Sequence, residues 1–231
     1  MKCPFLHTTA PLLLIALTAA AAPVAESSLP NENLRYSVNW PTGVSLGEAQ
    51  MSASSSAGNM HFAFDLFADA PAFTVNDRFR SDASNGFCSS TFDKSTSHGS
   101  KKASEKEKFD AATGTVTRGS GDGQSEISAS ACSKDALTFL YFLRHELSQG
   151  RMPSDETIYF GAPYQVHLSS AGTENVKIGN ASIEADRINA DVTGPSSSIS
   201  FEMLFLKDPV RTLVRVRVPL ALGKFSMELE R

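Results

Sequence analysis

The sequence predicts a mainly β protein, in which one large curved antiparallel sheet forms a half-open barrel-like meander wrapped around one buried α-helix. Apolar residues alternate with polar ones through most of the chain, as in strands with one buried face. Short turns separate these stretches, which favours antiparallel pairing of neighbours. Only residues 135–147 show the apolar periodicity of a convincing helix.

The N-terminus has the features of a secretory signal, which we predict over residues 1–22. Lys2 supplies a positive charge, residues 11–17 are apolar, and Ala19 to Ala22 are small enough for signal cleavage. The apolar run is shorter than the roughly 20 residues that span a bilayer. An uncleaved anchor is the alternative. We expect an exported protein, periplasmic or secreted, with no transmembrane segment in the mature chain.

The rest of the chain is predicted to be a short linker, residues 23–33, followed by a single β-rich domain, residues 34–231. The chain has 231 residues, of which 41% are hydrophobic and 20% are charged, as in packed globular proteins. Its net charge is −4. This charge excludes the generally basic surface that holds nucleic acid, so no nucleic-acid partner is expected.

Two cysteines remain after signal cleavage, Cys88 and Cys132. In an exported chain they are expected to form a disulfide, because the compartment is oxidising. Two free buried thiols are the alternative. A metal pair is disfavoured because no histidine stands at ligand spacing from either cysteine.

The first half of the domain predicts a series of strands. Residues 34–40 alternate strictly, and residues 41–43 form a turn. The alternation then slips by one residue at Gly47, which indicates a β-bulge. Residues 101–109 alternate charged side chains, which suits an exposed or edge strand protected by lysine. Further apolar strand positions are Met60, Phe62, Phe64, Leu66, Phe73, Val75 and Phe79.

The predicted helix begins after Ser133 or Asp135, either of which can cap it, and ends before Gly150. Its apolar residues cover most of the circumference, which predicts burial. Strands then resume to the C-terminus. A two-residue turn is predicted at Gly179-Asn180, and another turn at residues 207–209.

A series of motifs runs along the chain: Tyr36-x-Val38-x-Trp40 with Gly43, Gly47 and Ala49; Asp135-Ala136-Leu137 with Leu140 to Arg144; Gly172-x-Glu174; Ala185 to Ile188; and Asp208, Arg211, Gly223 and Leu229. In this order, the motifs resemble the domain of unknown function 3108 family of exported bacterial proteins. The departures are Leu206, where the family often has Trp, and Leu213, where it often has Pro. The resemblance implies no established activity, and an architecture similar to the curved half-barrels of periplasmic lipoprotein carriers.

No catalytic, cofactor-binding or metal-binding residues are predicted. His61, His98, His145 and His167 are scattered and lack ligand spacing, and the serines lack a nucleophile elbow. The glycine-rich residues 119–123 are interpreted as a flexible turn, because no lysine follows to bind phosphate. We therefore expect a protein that is not an enzyme.

Two groups of residues remain as candidate sites. Asp135, Tyr141 and Arg144 mark a possible ligand face of the helix, although Asp135 is better explained as a helix partner and Arg144 as the partner of a strand. Arg211, Arg215 and Arg217 form a basic stripe that Glu202 or Glu228 could balance; contact with anionic lipid headgroups or glycans is the alternative.

The expected function is binding of an apolar or amphipathic ligand, or of an envelope partner, on the concave face of the sheet. The reason is the one-sided apolar pattern with only one helix to cover it. A structural or assembly protein that acts through sheet edges such as residues 101–109 is the second possibility. A hydrolase with an unrecognised site is the third.

Overall fold

The computed structural model describes residues 31–70, 73–121, 123–220 and 223–230, which form one sheet and one helix. The predicted signal lies outside the described residues. The elements are β1 Glu32–Asn39, β2 Ser45–Ser56, β3 Asn59–Ala70, β4 Phe73–Ser84, β5 Ser89–His98, β6 Lys101–Asp110, β7 Thr115–Ser120, β8 Gly123–Ser128, β9 Lys134–Asp135, α1 Ala136–Ser148, β10 Glu156–Tyr159, β11 Pro163–Ile178, β12 Ala181–Thr193, β13 Ser198–Leu206, β14 Leu213–Leu220 and β15 Gly223–Leu229.

The sheet has fifteen strands in the order β8-β7-β6-β5-β4-β3-β2-β1-β15-β14-β13-β12-β11-β10-β9. Neighbours are antiparallel except for the short parallel pair of β9 with β10. The first and last strands of the described residues, β1 and β15, pair at the centre of the sheet, where Tyr36 lies opposite Leu229. The predicted mainly β fold, with a curved antiparallel sheet around one buried helix, is confirmed. β1 begins at Glu32, two residues before the predicted domain boundary at residue 34.

The position of the charged strand was predicted incorrectly in one respect. Residues 101–109 lie in β6, which is mostly exposed but pairs with β5 on one side and β7 on the other. β6 is therefore an inner strand of the sheet. The two edges of the sheet are β8 and β9.

The predicted β-bulge is found beside Gly47. Val38 pairs with Gly47 but Asn39 pairs with Ser45, so β2 carries one extra residue at this point. The backbone of β3 approaches so closely that a Cβ atom on residue 47 would lie 2.0 Å from the Phe67 carbonyl oxygen. Glycine is required here because no side chain fits between the strands. The predicted turn at Gly179-Asn180 is also present, between β11 and β12.

Helix α1 packs against the concave side of the sheet and is buried through most of its length. Asp135 is its N-cap residue, and Gly150 follows its C-terminus with a φ of +72°. Apolar side chains of α1 join a large core formed by the concave faces of β1–β5 and β10–β14. No helix among the described residues is long and apolar enough to cross a membrane.

A second, smaller core on the opposite face of the sheet was not predicted. The register of β11 shifts between Ser170 and Thr173, so the alternate residues Val176 and Ile178 face away from α1. They pack with Leu204, Leu206 and Val214 and with Ala185 and Ile183. This register shift therefore allows the long β11–β12 hairpin to bury apolar residues on both of its faces.

Cys88 and Cys132 form the predicted disulfide. It links the turn between β4 and β5 to the segment that precedes β9, across a separation of 44 residues. In the chain-entropy model a loop of this length stabilises the fold by about 4 kcal/mol. The bond closes a segment of β5–β8 that is rich in Ser and Lys and buries few apolar side chains.

Candidate functional site

The concave side of the sheet contains a cavity of about 580 Å³. The inward-facing residues of β11–β14 form one wall, residues of β2–β4 form another, and α1 contributes Phe139, Leu140 and Leu143. The side chains point inward because alternate residues of a strand lie on one face and the sheet curves around that face. The cavity is therefore a product of sheet curvature that one helix only partly fills.

The lining of the cavity is almost entirely apolar. The polar groups among the lining residues are the hydroxyls of Ser197 and Tyr164, and none of the lining residues is charged. Half of the wall residues on the strands are only half-buried, including Phe201, Val216 and Met227. These side chains have apolar neighbours on one side and open volume on the other.

The cavity reaches solvent beside the connection between β12 and β13. Ser197 in this connection is exposed and lines the cavity. Ile199, at the start of β13, also lines the cavity and is 38% exposed. These two residues mark what we call the mouth of the cavity.

A buried ion pair fastens α1 to the start of the sheet. The Arg144 side chain is 1% exposed and binds both carboxylate oxygens of Glu32 in β1. Its Nε donates to the carbonyl oxygens of Val210 and Arg211, at 3.2 and 3.0 Å. The pair therefore joins the helix to β1 and to the turn between β13 and β14.

The N-terminus of α1 is fastened by the fully buried carboxylate of Asp135. One oxygen accepts the backbone N–H groups of Leu137 and Thr138 at 2.8 and 3.0 Å. The other accepts the hydroxyls of Ser81 and Ser89, both at 2.6 Å, and of Thr138 at 2.8 Å. Burial raises the pKa of the Asp135 carboxyl, and these hydrogen bonds oppose that rise.

A second buried carboxyl, Glu107 of β6, contacts the turn between β10 and β11. Its side chain is 1% exposed, and Oε1 accepts the N–H of Gly161 at 2.9 Å. Oε2 has no hydrogen-bond partner among the described residues. Gly161 has a φ of +79°, and a Cβ on it would collide with Glu105. Because the adjacent Phe160 lines the cavity, this contact holds one wall in place.

The free energy of unfolding should depend on pH because Glu107 is buried. Burial raises its pKa to about 7 from 4.5, the Gly161 hydrogen bond opposes the rise, and Asp135 adds to it. The folded state binds this proton more tightly, so the stabilisation is complete below pH 4.5 and is lost as the pH rises through 7. Relative to Glu107→Gln, the wild type should lose about 3 kcal/mol of unfolding free energy over this range. Urea unfolding of both proteins from pH 4 to 8 measures the difference; parallel pH profiles would contradict it.

The predicted helix residues do not line the cavity. Asp135 and Arg144 make the contacts described above, and Tyr141 is fully buried with its ring stacked on Phe62 at 4.2 Å between centroids. The residues of α1 that do line the cavity lie between them in sequence: Ala136, Leu137, Phe139, Leu140 and Leu143. Their apolar character indicated burial, but it could not distinguish a filled core from a lined cavity.

The predicted basic stripe does not form one continuous row. Arg211 lies in the turn before β14 and binds Asp186 at 2.6 Å. Arg215 binds Glu174, and Arg217 lies 3.1 Å from Glu202, the partner predicted for the stripe. Glu174 was not predicted as the partner of Arg215, because the two residues are distant in sequence. Each of the three arginines is therefore paired with a carboxylate, which leaves little free positive charge for an anionic ligand.

Three of the four histidines named above each contact a single aspartate. His61 contacts Asp82, His98 contacts Asp77, and His167 contacts Asp155, at distances of 2.6 to 2.8 Å. The pairs join β3 to β4, β5 to β4, and β11 to the residue before β10, and no residue belongs to two of them. Among the described residues, no group of three or more His, Cys, Asp or Glu side chains is arranged to hold a metal ion.

Comparison with solved structures shows that the fold is similar to a β-barrel-like architecture. The crystal structure of a beta-barrel-like protein of domain of unknown function DUF1849 from Brucella abortus matches with a TM-score of 0.61, covering 88% of this chain and 97% of the other. The two sequences are 8% identical, so the likeness concerns the fold alone. No curated protein matches this chain in sequence.

A family model agrees with the resemblance carried by the motifs of β1, α1 and the C-terminal strands. It matches residues 35–230, which include nearly all of the described sheet and the whole of α1. The chain therefore belongs to the family of proteins of unknown function DUF3108.

Proposed function

We propose that this protein binds an apolar or amphipathic molecule inside the concave cavity, as a non-enzymatic carrier or receptor exported to the periplasm or secreted. The observation that carries the proposal is the open, apolar volume between α1 and the sheet. Its size of about 580 Å³ lies within the range of about 300–1,000 Å³ that is usual for small-molecule sites.

The hydrophobic effect would supply the binding energy. Half-buried side chains such as Phe64, Phe79 and Phe201 would lose their remaining contact with water when a ligand enters. Each methylene group of the ligand that is buried would contribute about 0.8 kcal/mol before the entropic costs of binding. A linear acyl chain matches this chemistry because it requires no hydrogen-bond partners in the wall.

The distribution of polar groups favours an amphipathic ligand over a purely apolar one. The deep part of the cavity has no charged residue, so a ligand cannot place a charge there without losing solvation. At the mouth, Ser197 and Ile199 are exposed to solvent. The polar end of the ligand would therefore remain in water at the mouth while its apolar part fills the cavity.

The test is displacement of a fluorescent fatty acid from the purified protein, with native mass spectrometry to detect a co-purified ligand. Val192→Trp should reduce the affinity at least about tenfold, because Val192 lines the cavity and the larger ring occupies ligand volume. Thr193→Trp is the matched control, since Thr193 is the next residue on β12 and is exposed on the other face. Absence of fluorophore binding to the wild type, or equal loss in both variants, would refute the proposal.

Assembly through sheet edges is less well supported than ligand binding. The strand expected to provide a free edge, residues 101–109, is paired on both sides in β6. Of the actual edges, β9 has only two residues, and both are buried. Edge-to-edge assembly would have to use β8, which has six mostly exposed residues.

A further inference from the structure

The end of the barrel that carries the cavity mouth differs in composition from the other end. Strands β2, β1, β15, β14, β13 and β12 are consecutive antiparallel neighbours, so their connections alternate between the two ends. At the mouth end lie residues 40–44 and 194–197, which connect described strands, and the last residues of β14, Pro219 and Leu220, with the first residue of β15, Gly223. None of these three segments contains a charged residue.

The other end of the same strands is polar. The connection between β13 and β14 contains Lys207, Asp208 and Arg211, and the turn between β11 and β12 is Gly179-Asn180. Among the connections of these strands named here, those at the end where Arg144 contacts the β13–β14 turn therefore include charged residues, and those at the mouth end do not.

Exposed apolar side chains are also concentrated towards the mouth end. Large apolar residues with high exposure among the described residues are Val44 at 62%, Phe67 at 49%, Ile199 at 38% and Met152 at 37%. Val44 and Ile199 belong to the mouth end itself, and Phe67 lies near it on β3, opposite Glu48 close to the start of β2. Exposed apolar groups at loop tips next to an apolar cavity are expected where a protein meets a nonpolar surface.

Two of the uncharged connections support each other. Pro41 packs against Gly223, where a Cβ atom would lie only 2.6 Å from the proline Cγ. The Trp40 ring meets Phe225 edge-to-face, with centroids 4.8 Å apart. The tip formed by residues 40–44 is thus held against β15 and does not need to become ordered on binding. Rigid support lowers the entropic cost of presenting apolar groups to a surface.

We propose that the mouth end docks on a lipid bilayer, with residues 40–44 at the depth of the headgroups and upper acyl chains. The occupant is a bilayer because the connections lack charges, a tryptophan is present at the level where such rings partition, and the adjoining mouth would then open towards acyl chains. Lys224, exposed directly after the third segment, would extend to the phosphate layer. The role of docking, namely loading or releasing the ligand at a membrane, rests on the proposed function. The structural argument for docking does not.

Trp40 provides the measurement, because it is the single tryptophan of the chain. The protein from Pro23 onward, without the predicted signal, is mixed with phosphatidylcholine vesicles that contain brominated acyl chains. We expect a blue shift and quenching of Trp40 fluorescence and cosedimentation with the vesicles. Val44→Asp should weaken partitioning about tenfold. Met152→Asp is the matched control; Met152 follows α1 and belongs to none of the three segments, so its substitution should leave partitioning unchanged.

Four outcomes would overturn the docking proposal. They are unchanged Trp40 emission with vesicles, equal weakening by both variants, binding that requires anionic lipid, and a Val44-dependent dimer in place of vesicle binding. Fatty-acid displacement without vesicles separates this proposal from the proposed function. Vesicle binding without fatty-acid binding would refute the cavity ligand and retain docking, whereas fatty-acid binding without vesicle binding would do the reverse.

Discussion

Replacement of Asp135 by alanine should lower the free energy of unfolding by about 3–5 kcal/mol. The carboxylate accepts five hydrogen bonds from Ser81, Ser89, Leu137 and Thr138, and its residue is fully buried. Alanine would leave these donors without an acceptor in a region that water does not reach, and it would remove the helix cap. Small domains typically have an unfolding free energy of only about 5–15 kcal/mol. This single change should therefore remove a large part of the protein's stability.

Two further substitutions test this explanation in urea unfolding experiments. Asp135→Asn retains one oxygen of similar geometry, so its loss of stability should be clearly smaller than that of Asp135→Ala. Asp110 also accepts two backbone N–H groups, from Ala112 and Thr113, but in an exposed turn. Asp110→Ala should therefore have a much smaller effect. If Asp110→Ala and Asp135→Ala destabilise equally, burial of the acceptor is not the cause.

Replacement of Arg144 by leucine should cost about 3–5 kcal/mol, because it leaves the Glu32 carboxylate largely buried without a counter-charge. It also leaves the Val210 and Arg211 carbonyl oxygens without the Nε donor. The double variant Glu32→Leu with Arg144→Leu removes both charges, and it should be more stable than Arg144→Leu alone. A double-mutant cycle measured by urea unfolding gives the coupling.

Arg151 is the matched control for Arg144, because it follows the same helix and binds Glu146 in the same bidentate manner. Its side chain is 57% exposed, so water replaces the lost contact. Arg151→Leu should leave the unfolding free energy nearly unchanged. A double variant as unstable as Arg144→Leu would show that packing, rather than unpaired charge, determines the loss.

Local sequence patterns were sufficient to predict most of the strands and the helix, and the two cysteines left after the predicted signal were sufficient to predict the disulfide. The alternation of residues 34–40, the slip at Gly47 and the cap at Asp135 all depend on neighbours in sequence, and the structure has β1, the bulge and α1 where these signals lie. The resemblance of ordered motifs was sufficient to predict the family, because it reflects the whole chain rather than one site.

Features that depend on closure of the sheet could not be predicted in the same way. The charged residues 101–109 were expected to suit an edge, but their pairing is decided by β7 and β8, which follow them. The donors to Asp135 come from Ser81 and Ser89, and the partner of Arg144 is Glu32, more than 100 residues away. The cavity is even harder to predict from local sequence, because the same alternation of Phe and Val occurs whether the concave face of a sheet is filled by side chains or left open.

The pairing of β1 with β15 has a consequence for biosynthesis. In the order of paired strands, β2–β8 and β9–β14 are connected through β1 and β15, and β15 is the last strand of the described residues. The sheet cannot be completed until β15 has been synthesised, so a chain that lacks β15 should remain incompletely folded. Such a high contact order also predicts slow folding, and loss of the seven-residue β15 would interrupt the sheet at its centre.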